Sequence, residues 1–266
     1  MKKIISMILC VAMVLGCVSA FTGCGDKDDD TLVMATNAAF PPYEYVDGDN
    51  GFAGIDVEIA QAIAEKLGKK LEIADVEFGS IIGGVQSGKY DFGMAGMTVT
   101  EDRKKNVDFS DTYATAVQVV IVKADSQYAS FEDFYTGFDE EEKPTGVKEG
   151  IKIGVQQDTT GDIYSSDEPK NWGFGSDNVI QYKTGADAVQ ALLTDKVTAV
   201  IIDNEPAKSF IASNEGLKIL DGEYANEDYA ICVQKGNTEL LDQINTALKE
   251  LKEDGTIDKI VAKYIK

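Results

Sequence analysis

The chain has 266 residues, 46 acidic against 25 basic side chains, a formal net charge of −21 and no histidine. That balance argues against nucleic acid and against a broad anionic-membrane footprint. The missing imidazole removes Ser-His-Asp and Cys-His nucleophiles, imidazole general bases and histidine-held metals, and leaves catalysis by carboxylates or lysine possible. No metal or cofactor is expected.

The N-terminus reads as an export signal over 1–23: Lys2-Lys3, then an almost wholly apolar run over 4–18, then Ser19-Ala20. The run is short for a membrane span. Phe21-Thr22-Gly23-Cys24, followed by the polar stretch 25–30, resembles a bacterial lipoprotein signal. That resemblance implies a lipid on Cys24 and a flexible tether over 24–30, with Cys17 a rival site. The only other body cysteine is Cys232, so no internal disulfide framework is expected and stability must come from a packed core.

The body alternates strands and helices. Residues 31–36 read as a strand stopped by Pro41-Pro42. Ile55, Ile59, Ile63 and Leu67 recur every four residues and predict a helix that Gly68 ends. A strand follows over 71–76, a brief helix capped by Ser80 over 80–86, and strands over 90–95 and 117–122. The pattern restarts with a strand at 151–155, a helix at 186–193, a strand at 199–202, a helix at 205–212 and a strand at 229–233. Amphipathic helices over 239–251 and 257–264 close the chain. This order predicts α/β lobes with largely parallel sheets. Asp47, Asp49 and Glu58 match EF-hand positions, but Gly51 and Phe52 stand where a ligand and the turn glycine belong, so a hairpin turn and helix start are expected instead.

Two local signals point to a ligand. Val85-Gln86-Ser87-Gly88-Lys89 and Val189-Gln190-Ala191 each lead into a strand whose C-terminal end is polar, Gly96 to Thr98 in one case and Asp203 in the other. Open α/β sheets bind ligands at such ends. Arg103 is the single arginine of the chain. A guanidinium grips a carboxylate bidentately where lysine cannot, although a structural salt bridge would also explain it.

Ordered motifs then resemble one family. They are residues 35–45 (Ala-Thr-Asn-Ala-Ala-Phe-Pro-Pro-Tyr-Glu-Tyr), 54–60, Gln86-Ser87-Gly88-Lys89-Tyr90-Asp91, 96–103 running into Val107-Asp108-Phe109-Ser110, 154–162 and Ile202-Asp203-Asn204-Glu205-Pro206. Together they resemble the extracytoplasmic solute-binding proteins of polar amino acid ABC transporters, of family 3 type. The resemblance implies a type II periplasmic-binding-protein-like fold, with two α/β lobes, a two-strand hinge and the ligand cleft between them. It implies a lipid-anchored, monomeric protein that captures a polar or basic L-amino acid outside the membrane and passes it to an ABC permease.

The family's ligand contacts fall on particular residues here. Arg103 matches the carboxylate clamp, helped by Thr98, Thr159 and Thr160. Asp203 matches the ammonium acceptor, with the Gly96 carbonyl beside it. Phe40 and Phe78 match the aromatic sandwich around the ligand side chain, and Gln156 could reach that side chain's end. Members selective for basic ligands commonly carry aspartate where Asn37 stands, which weakens a strictly basic ligand. Glu44 and Trp172 are assigned to surface or packing.

The expected lobes are 31–122 with 225–266, and 123–224. Two rivals stand beside transport: a same-fold enzyme of the cyclohexadienyl dehydratase type, and a sensory surface lipoprotein.

Overall fold

The computed structural model describes residues 30–265; the expected signal, the proposed lipid site at Cys24 and nearly all of the tether lie outside the described residues. The chain opens with β1 (Thr31–Thr36), whose Met34, Ala35 and Thr36 are fully buried. A small antiparallel ladder follows: β2 (Ala39–Phe40), β3 (Glu44–Val46) and β4 (Phe52–Ala53), with the expected hairpin turn between the last two. Helix α1 (Ile55–Lys66) buries Ile55, Ile59 and Ile63 on one stripe, as its four-residue repeat requires. Next come β5 (Lys70–Asp75), α2 (Ile81–Gln86), β6 (Phe92–Gly93) and β7 (Val107–Phe109). Ser80 does not cap α2, because it already lies in a 3-10 turn (Phe78–Ser80) with right-handed helical torsions. The strand expected over 90–95 shrinks to two residues.

The second half holds β8 (Ala114–Lys123), the hairpin β9 (Tyr135–Phe138) and β10 (Pro144–Val147), β11 (Ile153–Gln156) and α3 (Thr160–Ser166). It continues with β12 (Val179–Tyr182), α4 (Gly185–Leu193), β13 (Ala199–Asp203), α5 (Asn204–Ser213), β14 (Leu217–Ile219) and β15 (Ala225–Tyr229). β16 (Cys232–Gln234) and the helices α6 (Thr238–Glu253) and α7 (Thr256–Tyr264) complete the chain. Trp172 packs edge-on against Phe131 and Tyr135, and its carbonyl accepts from the Tyr135 and Tyr224 hydroxyls, in keeping with a packing role.

Two sheets organise these elements. The first has the order β5-β1-β6-β16-β7, and the second β12-β11-β13-β8-β14, with β15 also paired to β8. The sheets are mixed rather than largely parallel. β1 and β6 run parallel, as do β11 with β12 and β13, but β16 and β8 run antiparallel to their neighbours. The antiparallel members are the strands by which the chain changes sheet.

That change corrects two sequence expectations. The single strand expected over 229–233 is two strands, broken where the chain leaves the second sheet at Ala230 and enters the first. Residues 114–122 and 225–229, expected in the first lobe, make their ladder bonds in the second sheet, where Ala225 faces Gln118 and Tyr229 faces Ala114. The chain therefore passes between sheets at 110–113 and 230–231. The two crossings are tied together by Ser110 N–H to Ile231 O (2.9 Å) and Tyr113 N–H to Tyr229 O (2.9 Å). Among the described residues no helix is long and apolar enough to cross a membrane.

Candidate functional site

The C-terminal ends of β1 and β6 in one sheet face those of β11 and β13 in the other, and a cleft of about 310 Å³ lies there. All ten residues expected to touch a ligand line it, together with Glu44 and Ala95. Contacts already join its two walls: Arg103 Nη2 donates to Asp158 O (3.0 Å), Gln156 Nε2 donates to Asn37 Oδ1 (2.9 Å), and the hydroxyls of Thr98 and Thr160 lie 3.4 Å apart.

At one end sits Arg103, carried by a 3-10 turn and only 7% exposed. Its Nη1 donates to Thr98 O (2.7 Å), and its guanidinium lies over the Phe78 ring at 5.3 Å. Among the described residues it makes no salt bridge, so the structural-bridge explanation for this arginine does not apply. Burial lowers its pKa from a very high starting value, and a guanidinium remains charged. Thr159 caps α3, accepting from Asp162 N–H and donating to Gln156 O. The Thr160 hydroxyl donates to Glu227 Oε2 (3.1 Å).

At the other end Asp203 closes β13. It holds the N-cap position of α5, yet its side chain makes no capping bond. Its Oδ2 accepts from Gln118 Nε2 (3.0 Å) instead. Burial pushes its carboxyl up to about 7, against the opposing pull of Tyr229 and Gln118. Gly96 adjoins it with φ +52°, and a Cβ there would come within 2.9 Å of the Phe40 ring, so both torsion and space demand glycine. The Gly96 N–H donates to Asp56 Oδ2 (2.8 Å), which also accepts from the Tyr113 hydroxyl (2.8 Å). Phe40 is buried and stacks on Tyr43, whereas Phe78 is half-buried. Asn37 Nδ2 donates to Val76 O, so both ends of its amide are engaged.

Sequence reasoning missed several polar residues. Glu44, assigned to surface or packing, is fully buried and faces the cleft, because the β2–β3 ladder sets it directly opposite Phe40. Burial first, and then the neighbouring Asp56, hold its carboxyl well above the usual range; Asp56 itself rises to about 6. Glu227, on β15, is raised by burial, with the Thr98 and Thr160 hydroxyls and Arg103 pulling it down. Gln118 had a signal, a lone amide inside the apolar run of β8. Glu227 had none, since its burial follows from the crossing between sheets.

The model of the bacterial extracellular solute-binding proteins, family 3, matches residues 32–266. The chain belongs to that family. The arginine-binding extracellular protein ArtP of Bacillus subtilis is 33% identical over 262 residues, covering 95% of each chain. An ancestral arginine-binding protein solved with arginine is 40% identical with a TM-score of 0.78, over 89% of this chain and 99% of that one. One solved with glutamine is also 40% identical, with a TM-score of 0.76 over 89% and 98%. The fold is thus the type II binding-protein fold of this family, and this solute-binding protein carries the family's cleft between its sheets.

Proposed function

We propose that this protein captures a polar or basic L-amino acid outside the membrane and delivers it to an ABC permease. One observation carries the reading: two buried opposite charges, Arg103 and Asp203, face the same cleft, and neither has an ion-pair partner among the described residues. Buried charges require partners, and a zwitterion supplies both. The α-carboxylate pairs with Arg103, supported at Thr98, while the Thr159 hydroxyl is spent on Gln156 O. Thr160 gives its hydroxyl proton to Glu227, so its share falls to the backbone N–H. The α-ammonium pairs with Asp203 and the Gly96 carbonyl. Phe40 and Phe78 flank the side chain, with Gln156 and Asn37 near its end.

The relatives' names support an amino acid cargo, and the extracellular solute-binding family supports capture outside the membrane. In this reading the lobe limits move from 122/123 and 224/225 to the crossings at 110–113 and 230–231, and these paired crossings are the two-strand hinge. Ligand shifts the population toward the closed form by bridging both walls. A lipid on Cys24 would keep the protein at the membrane as a monomer. Binding, without turnover, is the proposed activity; assays with prephenate and arogenate test the enzyme alternative. Calorimetric titration against the twenty amino acids tests the main reading, with one ligand or a narrow group expected and no binding at all contradicting it.

A further inference from the structure

We infer that Gln118 is a positioning residue for ligand capture: its amide orients the Asp203 carboxylate and ties it to Thr160 at the opposite end of the cleft. The inference rests on the reading that the cleft binds an amino acid zwitterion. Gln118 is 1% exposed and stands behind the residues that line the cleft, so it acts through those it touches. The sheet puts it there. Gln118 lies directly opposite Asp203 in the β8–β13 ladder, so the two side chains project from the same face. On its other side the ladder partner is Ala225, which has no polar group to compete for the amide. The two Nε2 protons of Gln118 are both engaged, one by Asp203 Oδ2 (3.0 Å) and one by Thr160 Oγ1 (3.4 Å). The Thr160 hydroxyl in turn donates to Glu227 Oε2 (3.1 Å). One neutral side chain thus joins the ammonium end of the site to the carboxylate end.

Packing alone does not explain an amide here. Gln118 Oε1 is buried and meets no donor, which is unfavourable in a strand whose neighbours are valines and an isoleucine. What the amide supplies is a fixed donor to a carboxylate that burial drives toward its neutral form. An ionised carboxylate only accepts, so this bond favours the form that pairs with an ammonium. Other groups face the same acid: Tyr229 and Glu227 from β15, Tyr43 and Glu44 from the β2–β3 hairpin, Arg103, and Tyr164 of α3. The Tyr229 hydroxyl also favours the ionised form, from outside hydrogen-bond geometry, whereas Glu227 opposes it.

Gln118→Met tests this, because methionine keeps the length and apolar fit of the side chain and lacks the donor. Calorimetry uses the tightest binder among the twenty amino acids, from pH 6 to pH 8.5. At pH 7 the variant should bind about tenfold more weakly, the scale of one hydrogen bond to a charged group. The pH at which affinity starts to fall should move upward, so that much of the loss is recovered at pH 8.5. Unchanged affinity, or a loss of the same factor at every pH, overturns the inference, since a packing defect alone would not follow the ionisation of Asp203. Should Gln118→Met not fold, NMR of the unaltered protein decides. The side-chain amide proton of Gln118 facing Asp203 should shift as that acid ionises, and a shift that stays flat from pH 5 to pH 8.5 overturns the inference. Failure of the zwitterion reading looks different: the unaltered protein would bind none of the twenty, and the inference would fall with it.

Discussion

Arg103 gives its hydrogen bonds to two backbone carbonyls, Thr98 O and Asp158 O, and makes no salt bridge among the described residues, with Glu227 the acid that feels its charge. Replacing it with lysine removes the planar fork, and Arg103→Lys should weaken amino acid binding by about 1.5–3 kcal/mol in calorimetry. Asp203 makes a prediction about pH. Its carboxyl titrates near 7 in the free protein, and only the ionised form pairs with an ammonium. Affinity should therefore fall as pH drops from 8 to 5, approaching tenfold per unit. Asp203→Asn should weaken binding and remove most of that dependence. Arg103 was legible in the sequence because a single arginine stands out in a lysine-rich chain. Glu44 was not, because its place in the cleft depends on a two-residue strand pairing that no periodicity announces.

At the scale of elements, the turn after β6 is the most constrained part of the site. Gly96 has φ +52° and sits against the Phe40 ring. Gly96→Ala should cost about 1–3 kcal/mol in backbone strain, and more once the ring is displaced. Denaturant unfolding should show the loss, together with weaker ligand binding. Long elements were legible: α1, α4, α6 and α7 lie within a few residues of their sequence limits, because each repeats its apolar stripe over several turns. β2, β4 and β6 are two residues long and carry too few side chains to show alternation. The break between β15 and β16 was hidden for another reason. Residues 229–233 are fully buried throughout, and an apolar run does not reveal where the chain changes sheet.

For the whole molecule, the acids buried at the cleft set how stability responds to pH. Asp203 rises to about 7, Asp56 to about 6, and Glu44 and Glu227 also rise. Between the unfolded values near 4 and these folded values, the folded state holds more protons than the unfolded chain. Stability should therefore decline as pH rises through 6 and 7. Surface acids such as Asp108 and Asp133 are lowered, so their contribution is lost only on strong acidification. In scanning calorimetry the ligand-free protein should melt several degrees higher at pH 5 than at pH 8, at about 2–4 °C per kcal/mol for a chain of this size. A saturating amino acid should narrow that gap by supplying Asp203 with its cation. A melting temperature that rose from pH 5 to pH 8 would show that the buried acids are already paired. The central claim, however, is that Arg103 and Asp203 together read the two ends of a zwitterion. Its most direct test is calorimetric titration with the preferred amino acid beside its Nα-acetyl and C-terminal amide forms. Each blocked form loses one charge, and each should bind at least ~100-fold more weakly, the scale of a buried charge left unpaired. Blocked forms that bind as tightly as the free amino acid would contradict the account.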